Sequence, residues 1–192
     1  MQTHDMQAIE GKSLLGVFNN QNDNNRQSIV TGRERNDPAR PNGWGYPVRS
    51  IHTENYVYTY NFEPNRWPSG TPEADYRDTD HSPTKKVTKN APQDGMVFQK
   101  NYGKRPQQEL YDLKNDPECL HNLANQPAFA SLQQQLHAEL FAELTRQRDP
   151  RMLGNGDVFD KYEGEARAKK YQLLVEIAKK GTYEWQERKK KK

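Results

Sequence analysis

The chain has 192 residues, 32% of them hydrophobic and 29% charged, with one cysteine and a formal net charge of +3. Leu, Ile, Val and Phe together make up 31 of the 192, about 16%, below the rough 20% at which a chain struggles to build a core. Such a composition excludes a disulfide framework, a multi-cysteine metal site and any run of about 20 apolar residues able to cross a membrane. Ten Tyr and three Trp add buriable surface, so the expectation is a modest folded nucleus with long irregular segments or a missing partner. The charge is also uneven. Without the five cations Arg188 and Lys189 to Lys192, +3 becomes −2, so the body is weakly acidic and the basic end reads as a solvated tail. No basic aromatic-interleaved surface precedes it, and neither nucleic acid nor membrane is an expected partner. The start of the chain lacks a basic segment followed by an apolar stretch, so no secretion signal is expected and the compartment stays open.

In chain order, residues 11–18 form a short apolar segment and residues 19–27 an amide-rich loop. Ile29 and Val30 begin a strand-like stretch running into Thr31-Gly32-Arg33-Glu34-Arg35, and residues 36–45, with two Pro and two Gly, read as turns. The strongest sheet signal is a hairpin of residues 46–53 and 56–61 around Glu54-Asn55. Val48, Ser50 and His52 share one side of it, Arg49, Ile51 and Thr53 the other, and the pattern leaves open which side is buried. Residues 62–94 hold five Pro and no helix or strand period, which predicts a long loop. Short strands are expected at 95–99 and 108–113. Phe129, Leu132, Leu136, Leu140 and Leu144 predict a helix over about 127–147, stopped by Asp149-Pro150. A second helix is expected over about 163–180, with Ala166, Leu173, Leu174 and Ile177 on or near one face.

The chemistry-bearing residues form no complete catalytic set. None of the five histidines pairs with another at metal-ligand spacing, and His137, beside an apolar stripe, reads as a packed histidine. His81 between Asp78 and Asp80 lacks the regular oxygen ligands that calcium needs. Cys119, beside Glu118 and two residues before His121, reads as a structural or incidental thiol. Neither a G-x-S-x-G elbow nor a phosphate-binding glycine loop occurs. The most suggestive group is Arg33, Glu34, Arg35, Arg40 and Arg49. Guanidinium groups flanking a carboxylate can present donors to a sulfate, phosphate or carboxylate, with Glu34 holding one arginine in place. A surface ion-pair cluster explains the same spacing.

Several segments resemble the C-terminal region of type I sulfatases. Thr31-Gly32-Arg33-Glu34-Arg35, Gly45-Tyr46-Pro47-Val48-Arg49-Ser50-Ile51, Tyr56-Val57-Tyr58 and Asn61-Phe62-Glu63-Pro64-Asn65-Arg66-Trp67-Pro68 with Gly70, Pro72 and Glu73 are similar to the heparan N-sulfatase-like (N-sulfoglucosamine sulfohydrolase-like) branch. Glu109-Leu110-Tyr111-Asp112-Leu113-Lys114-Asn115-Asp116-Pro117-Glu118, closed by Asn122-Leu123-Ala124, resembles a signature near the end of sulfatases in general. Gly11-Lys12-Ser13-Leu14-Leu15 resembles the segment that precedes their C-terminal subdomain.

The resemblance implies an alkaline-phosphatase-like α/β fold, of which this chain would be the C-terminal subdomain, α+β as an isolated piece. Strands at 48–53, 56–61, about 95–99 and 108–113 would form an antiparallel sheet packed by the 127–147 helix. The expected division is a leader and polar loop over 1–28, the subdomain over 29–147, and a helical extension with the basic tail over 148–192. Family members use a formylglycine made within C/S-x-P-S/A-x-R and a divalent cation, usually calcium. Cys119 lies in E-C-L-H instead, so both groups are implied only for a complete enzyme whose core belongs upstream of residue 11. The branch tends to read G-R-E-R-H, which implies a substrate-pocket role for Arg33, Glu34, Arg35 and Asn36. Asn36 stands where a His is expected, and it can donate a hydrogen bond but not shuttle a proton. Three functional classes follow: a part of a sulfatase acting on sulfated glycans and inactive alone, a non-catalytic module binding an anionic sugar, or a structural or interaction protein. The implied partners are the sulfatase core and sulfated carbohydrate. Complete members are often secreted, periplasmic or lysosomal.

Overall fold

In the computed structural model, residues 13–19, 27–162 and 164–181 are described. The leader before residue 13, most of the 19–27 loop and the basic end at 188–192 lie outside the described residues. The elements are α1 (Leu15–Phe18), β1 (Ile29–Arg33), β2 (Val48–His52), β3 (Tyr56–Asn61), α2 (Pro83–Lys89), α3 (Met96–Tyr102), β4 (Gln108–Asp112), α4 (Ala130–Arg146), α5 (Val158–Lys161) and α6 (Gly164–Lys180). Short 3-10 turns cover Pro41–Gly43, Pro72–Ala74 and Pro127–Phe129.

The four strands form an antiparallel sheet in the order β1-β2-β3-β4. Its register places Val30, Ile51, Tyr58 and Leu110 in one row across all four strands. That row selects the buried face, because α4 lays Leu136, Leu140 and Leu144 onto it at four-residue spacing. Tyr60, Phe62, His137 and Phe141 extend the core as contacting rings, and His137 Nδ1 meets the Tyr58 hydroxyl at 2.9 Å. His137 is thus a packed histidine, as expected. The hairpin and the 127–147 helix also lie where the pattern placed them.

Three expectations change. Residues 95–99 form no strand: Met96–Tyr102 is helical, and Phe98 and Tyr102, four residues apart, pack on Tyr76 and on each other. Ile29–Arg33 supplies the fourth strand instead. The 62–94 segment is ordered in part. Ser82 Oγ caps α2 by accepting the Lys85 amide at 3.0 Å, and Pro83 occupies the first turn. Lys85 then reaches back to donate its buried ammonium to the carbonyls of Asp75 (2.6 Å), Tyr76 (3.1 Å) and Thr79 (2.9 Å). One side chain thereby fixes a turn in which Asp75 and Tyr76 both carry positive φ, a contact that residue spacing does not reveal. Finally, α6 buries Tyr171 and Leu174 while Leu173 stays 57% exposed, so its face is rotated from the expected one. It packs on the turns at Pro41–Gly43 and Pro72–Ala74. Gly43 is needed there, since with φ of 67° a Cβ would sit 2.2 Å from Arg167 Cβ.

The sulfatase-like signature becomes a strand and its cap. Glu109 is buried and accepts from Asn61 Nδ2 (2.8 Å) and the Tyr111 hydroxyl (2.6 Å). Asp112 accepts the amides of Lys114 and Asn115, both at 3.0 Å, and Asp116 those of Leu120 (3.0 Å) and His121 (2.8 Å). The Asn115 side-chain amide, donating to Asp112 Oδ2 at 2.8 Å, and then the main-chain amides hold Asp112 below its ordinary range, and the His121 amide leads the same effect at Asp116. Asn122 covers the outer edge of β4, accepting from the Leu110 amide (2.9 Å) and donating to the Gln108 carbonyl (3.2 Å), while the Leu123 amide reaches the Leu110 carbonyl (2.8 Å).

Leu140→Ala is expected to lower unfolding stability by about 2–5 kcal/mol, and Leu173→Ala by less than about 0.5 kcal/mol, read by urea titration. A pH effect follows from His81. Burial, then the charges of Lys85 and Arg77, pull its imidazole down to about 4 against the opposing Asp75 carboxylate. The unfolded chain therefore binds the extra proton first, and stability falls as pH drops from about 6.5 toward 4. His81→Asn should flatten that part of the melting-temperature profile.

Candidate functional site

The site implied by the sequence begins where β1 ends. Arg33 closes the strand with an exposed side chain that makes no ion pair or hydrogen bond among the described residues. Glu34 does not hold Arg33 or Arg35. It takes a two-bond fork from Arg151 (Nε 2.9 Å, Nη2 2.8 Å) and a third bond from Arg49 Nη2 (2.7 Å). Arg49 Nε in turn donates to Asp149 Oδ2 at 2.7 Å. Arg35 turns to the Tyr162 carbonyl (3.2 Å) and Asn36 is exposed. The four neighbours in sequence thus point to different surroundings, because the chain leaves the sheet after Arg33 and the extended alternation stops.

The remaining members of the arginine group turn inward. Arg49 starts on the α4-covered face of β2 and crosses Gly32, where a Cβ would lie 2.6 Å from Arg49 Cδ. The glycine of β1 is therefore needed for the guanidinium to reach its carboxylates. Burial alone would lower the pKa of Arg49, and its bonds to Asp149 and Glu34 raise it overall. Arg40 is almost fully enclosed, donating to the Trp67 carbonyl (2.6 Å), the Pro68 carbonyl (2.7 Å) and Asp78 Oδ2 (2.5 Å). Burial pulls the Arg40 guanidinium down and pushes the Asp78 carboxyl up, with their mutual contact opposing both shifts. Arg40 and Arg49 are consequently framework residues and unavailable to a ligand.

Sequence reasoning missed Arg151, and read Asp149 only as a helix stop. Nothing in the spacing marks either, since they lie more than a hundred residues from Glu34. A parallel contact was missed nearby: Arg66 forks onto Asp160 (2.9 and 2.8 Å) with its guanidinium over Trp44. Burial raises the pKa of Asp160, but the Arg66 bonds outweigh it and hold the carboxyl below its usual range. Together these pairs bind the segment after residue 147 to β1, β2 and the turns that follow them.

Beside the edge of β1 lies an open cavity of about 230 Å³, lined by Val30, Gly32, Arg33, Leu144 and Gln147 and floored by the Arg49 network. Its charged lining residues are Arg33, Glu34, Arg49 and Asp149, and both carboxylates are already matched by guanidinium groups. Glu34 and Asp149 do not fit a calcium site, because each already faces a guanidinium. No cluster of three His, Cys, Asp or Glu able to hold a metal occurs among the described residues. Nor does Cys119 fit a formylglycine precursor. It sits at a turn of positive φ, with its thiol raised by burial and by Asp116.

No known family profile matches the chain, and no curated protein does. Among solved structures it is similar to a 2-O GAG sulfatase, at 19% identity and a TM-score of 0.45, over 74% of this chain and 21% of that one. A sulfatase candidate from Bacteroides thetaiotaomicron gives the same figures. A protein in complex with its substrate D-glucosamine-2-N,6-O-disulfate follows, at 17% identity and 0.44, over 76% and 22%. The chain spans about a fifth of the length of these proteins. The likeness is distant.

Removing Arg49 leaves Glu34 and Asp149 facing each other's surroundings without their shared cation. Arg49→Ala is expected to cost about 3–5 kcal/mol of stability. Arg33→Ala should change it by less than about 0.5 kcal/mol, and thermal melts of the two variants compare them directly.

Proposed function

We propose that this chain is the C-terminal subdomain of a sulfatase of the heparan N-sulfatase-like branch, serving sulfate ester or N-sulfate hydrolysis on sulfated glycans and inactive by itself. The observation that carries this reading is the E-L-Y-D-L-x-N-D-P segment with its closing N-L-A. Its Glu109, Asp112, Asp116 and Asn122 are all used to build and cap β4, so the resemblance rests on residues tied to one local structure. The matched carboxylates argue that calcium and the formylglycine nucleophile would come from the core. Exposed apolar residues at Val87, Met96 and Val97 offer surface for that core to cover. The division at 147 becomes a subdomain over 29–147 with an extension, 148–192, whose Asp149, Arg151 and Asp160 brace it.

In this reading Arg33 supplies the anion contact. Its side chain is exposed, its residue borders the cavity, and it makes no ion pair or hydrogen bond among the described residues. Glu34 positions Arg49 and Arg151 without touching substrate, while Arg35 and Asn36 shape the turn that follows. The same free guanidinium favours the second reading, a non-catalytic module for anionic sugar, and the two readings separate by experiment.

The purified chain is expected to hydrolyse neither an aryl sulfate nor N-sulfated glucosamine, with or without calcium, and turnover above host background would overturn the inactive assignment. Joined to a sulfatase core, Arg33→Ala should raise the KM for a sulfated glycan about tenfold and leave kcat for an aryl sulfate unchanged. Tight heparin-oligosaccharide binding by the chain without any core, lost in Arg33→Ala, would favour the binding module.

A further inference from the structure

The two edges of the sheet are treated differently. Phe62 donates to the Pro47 carbonyl (3.1 Å) and Thr53 to the Tyr56 carbonyl (2.9 Å), so odd-numbered residues of β2 bond to β3 and even-numbered ones to β1. With Thr31 opposite Ser50, the main chains of Ile29, Thr31 and Arg33 bond β2, and those of Val30 and Gly32 point outward. The β4 edge is capped by Asn122 and Leu123. The outward amides and carbonyls of Val30 and Gly32 find no partner among the described residues. β1 carries neither proline nor lysine, devices that usually blunt such an edge.

We infer that β1 is a self-association edge, on which a second copy of this chain adds its own β1 antiparallel to form a continuous eight-stranded sheet about a two-fold axis. The sequence Ile29-Val30-Thr31-Gly32-Arg33 is self-complementary about Thr31. Val30 of each copy opposes Gly32 of the other, which matches the outward-facing groups and makes four main-chain hydrogen bonds. Val30 and Gly32 both face the α4 side, so the valine of one copy lies against the partner's cavity wall beside Leu144 and the Arg49 stem that crosses Gly32. On the other face Thr31 meets Thr31, a favourable cross-strand pair. Arg33 meets Ile29, and its aliphatic stem covers a side chain now 52% exposed. The two Arg33 charges stay more than about 13 Å apart, so the free guanidinium does not oppose the pairing.

The test uses the full chain. Light scattering after gel filtration, over a range of concentrations, should show a monomer–dimer equilibrium. Val30→Pro removes an outward N–H, which an edge strand tolerates, along with part of a side chain packed on the core, and should weaken association about 10- to 100-fold with an unchanged circular dichroism spectrum. A second variant is independent of that folding condition. In a Cys119→Ser background, Thr31→Cys should form an intermolecular disulfide on mild oxidation, since opposed residues of a non-hydrogen-bonded pair lie about 4.5 Å apart at Cα. Arg33→Cys, displaced along the strand, should not. A monomer at all concentrations, or equal cross-linking of the two cysteine variants, overturns the inference.

Discussion

Arg49 rises from the middle of the sheet, passes over a glycine and ends between the carboxylates of Glu34 and Asp149. Arg151 closes the set by forking onto Glu34. Two cations and two anions, all largely withdrawn from water, balance one another, and the end of β1, the centre of β2 and the segment after α4 are held at one point. Desolvating four charges costs about as much as their attraction returns, so the network's value lies in position more than in net stability. Each part is exacting: a shorter cation, a side chain at residue 32 or the loss of one carboxylate strands a charge in a half-dry place. The apolar core of Leu136, Leu140, Leu144, Ile51, Tyr58 and Leu110 supplies cohesion, and the network orients what surrounds it.

A similar economy runs through the rest of a chain poor in aliphatic residues. Where a larger domain would use a second layer of leucines, this one uses polar side chains that bond to the main chain. Lys85 gathers three carbonyls, Arg40 takes two carbonyls and Asp78, and Asn122 closes a strand edge. Aromatic rings fill the remaining gaps, with Trp67, Tyr76, Phe98 and Tyr102 forming a small second core. Such contacts satisfy buried polar groups and organise long proline-rich segments that have no period of their own. The low aliphatic content is thereby reconciled with an ordered fold over residues 27–162.

For function, the network separates the two meanings that the arginine cluster allowed, an anion pocket or a set of ion pairs. Arg40 and Arg49 are internal ties, Arg35 reaches a carbonyl and Glu34 answers Arg49 and Arg151. Arg33 is left as the guanidinium facing open space. A sulfated ligand and a second β1 strand make different demands on this edge, the first through the guanidinium and the second through the main chain of Val30 and Gly32.

Local order was legible in the residues themselves. The hairpin, the leucine stripe of α4 and the strand of the sulfatase-like signature follow from periods of two and four, which neighbouring residues enforce on one another. The same logic failed at 95–99, where five residues are too few to separate a strand from a helix, and at α6, where Leu173 and Leu174 compete for one face. The sequence by itself therefore determined the periodic elements, the turn-rich composition and the polar caps close to their partners. Only the tertiary structure decided which face of the sheet is buried, which carboxylate each arginine meets and which sheet edge is capped by Asn122 and Leu123. Those outcomes depend on pairs such as Arg49 and Asp149, a hundred residues apart, whose meeting is set by how α4 crosses the sheet and by no spacing along the chain.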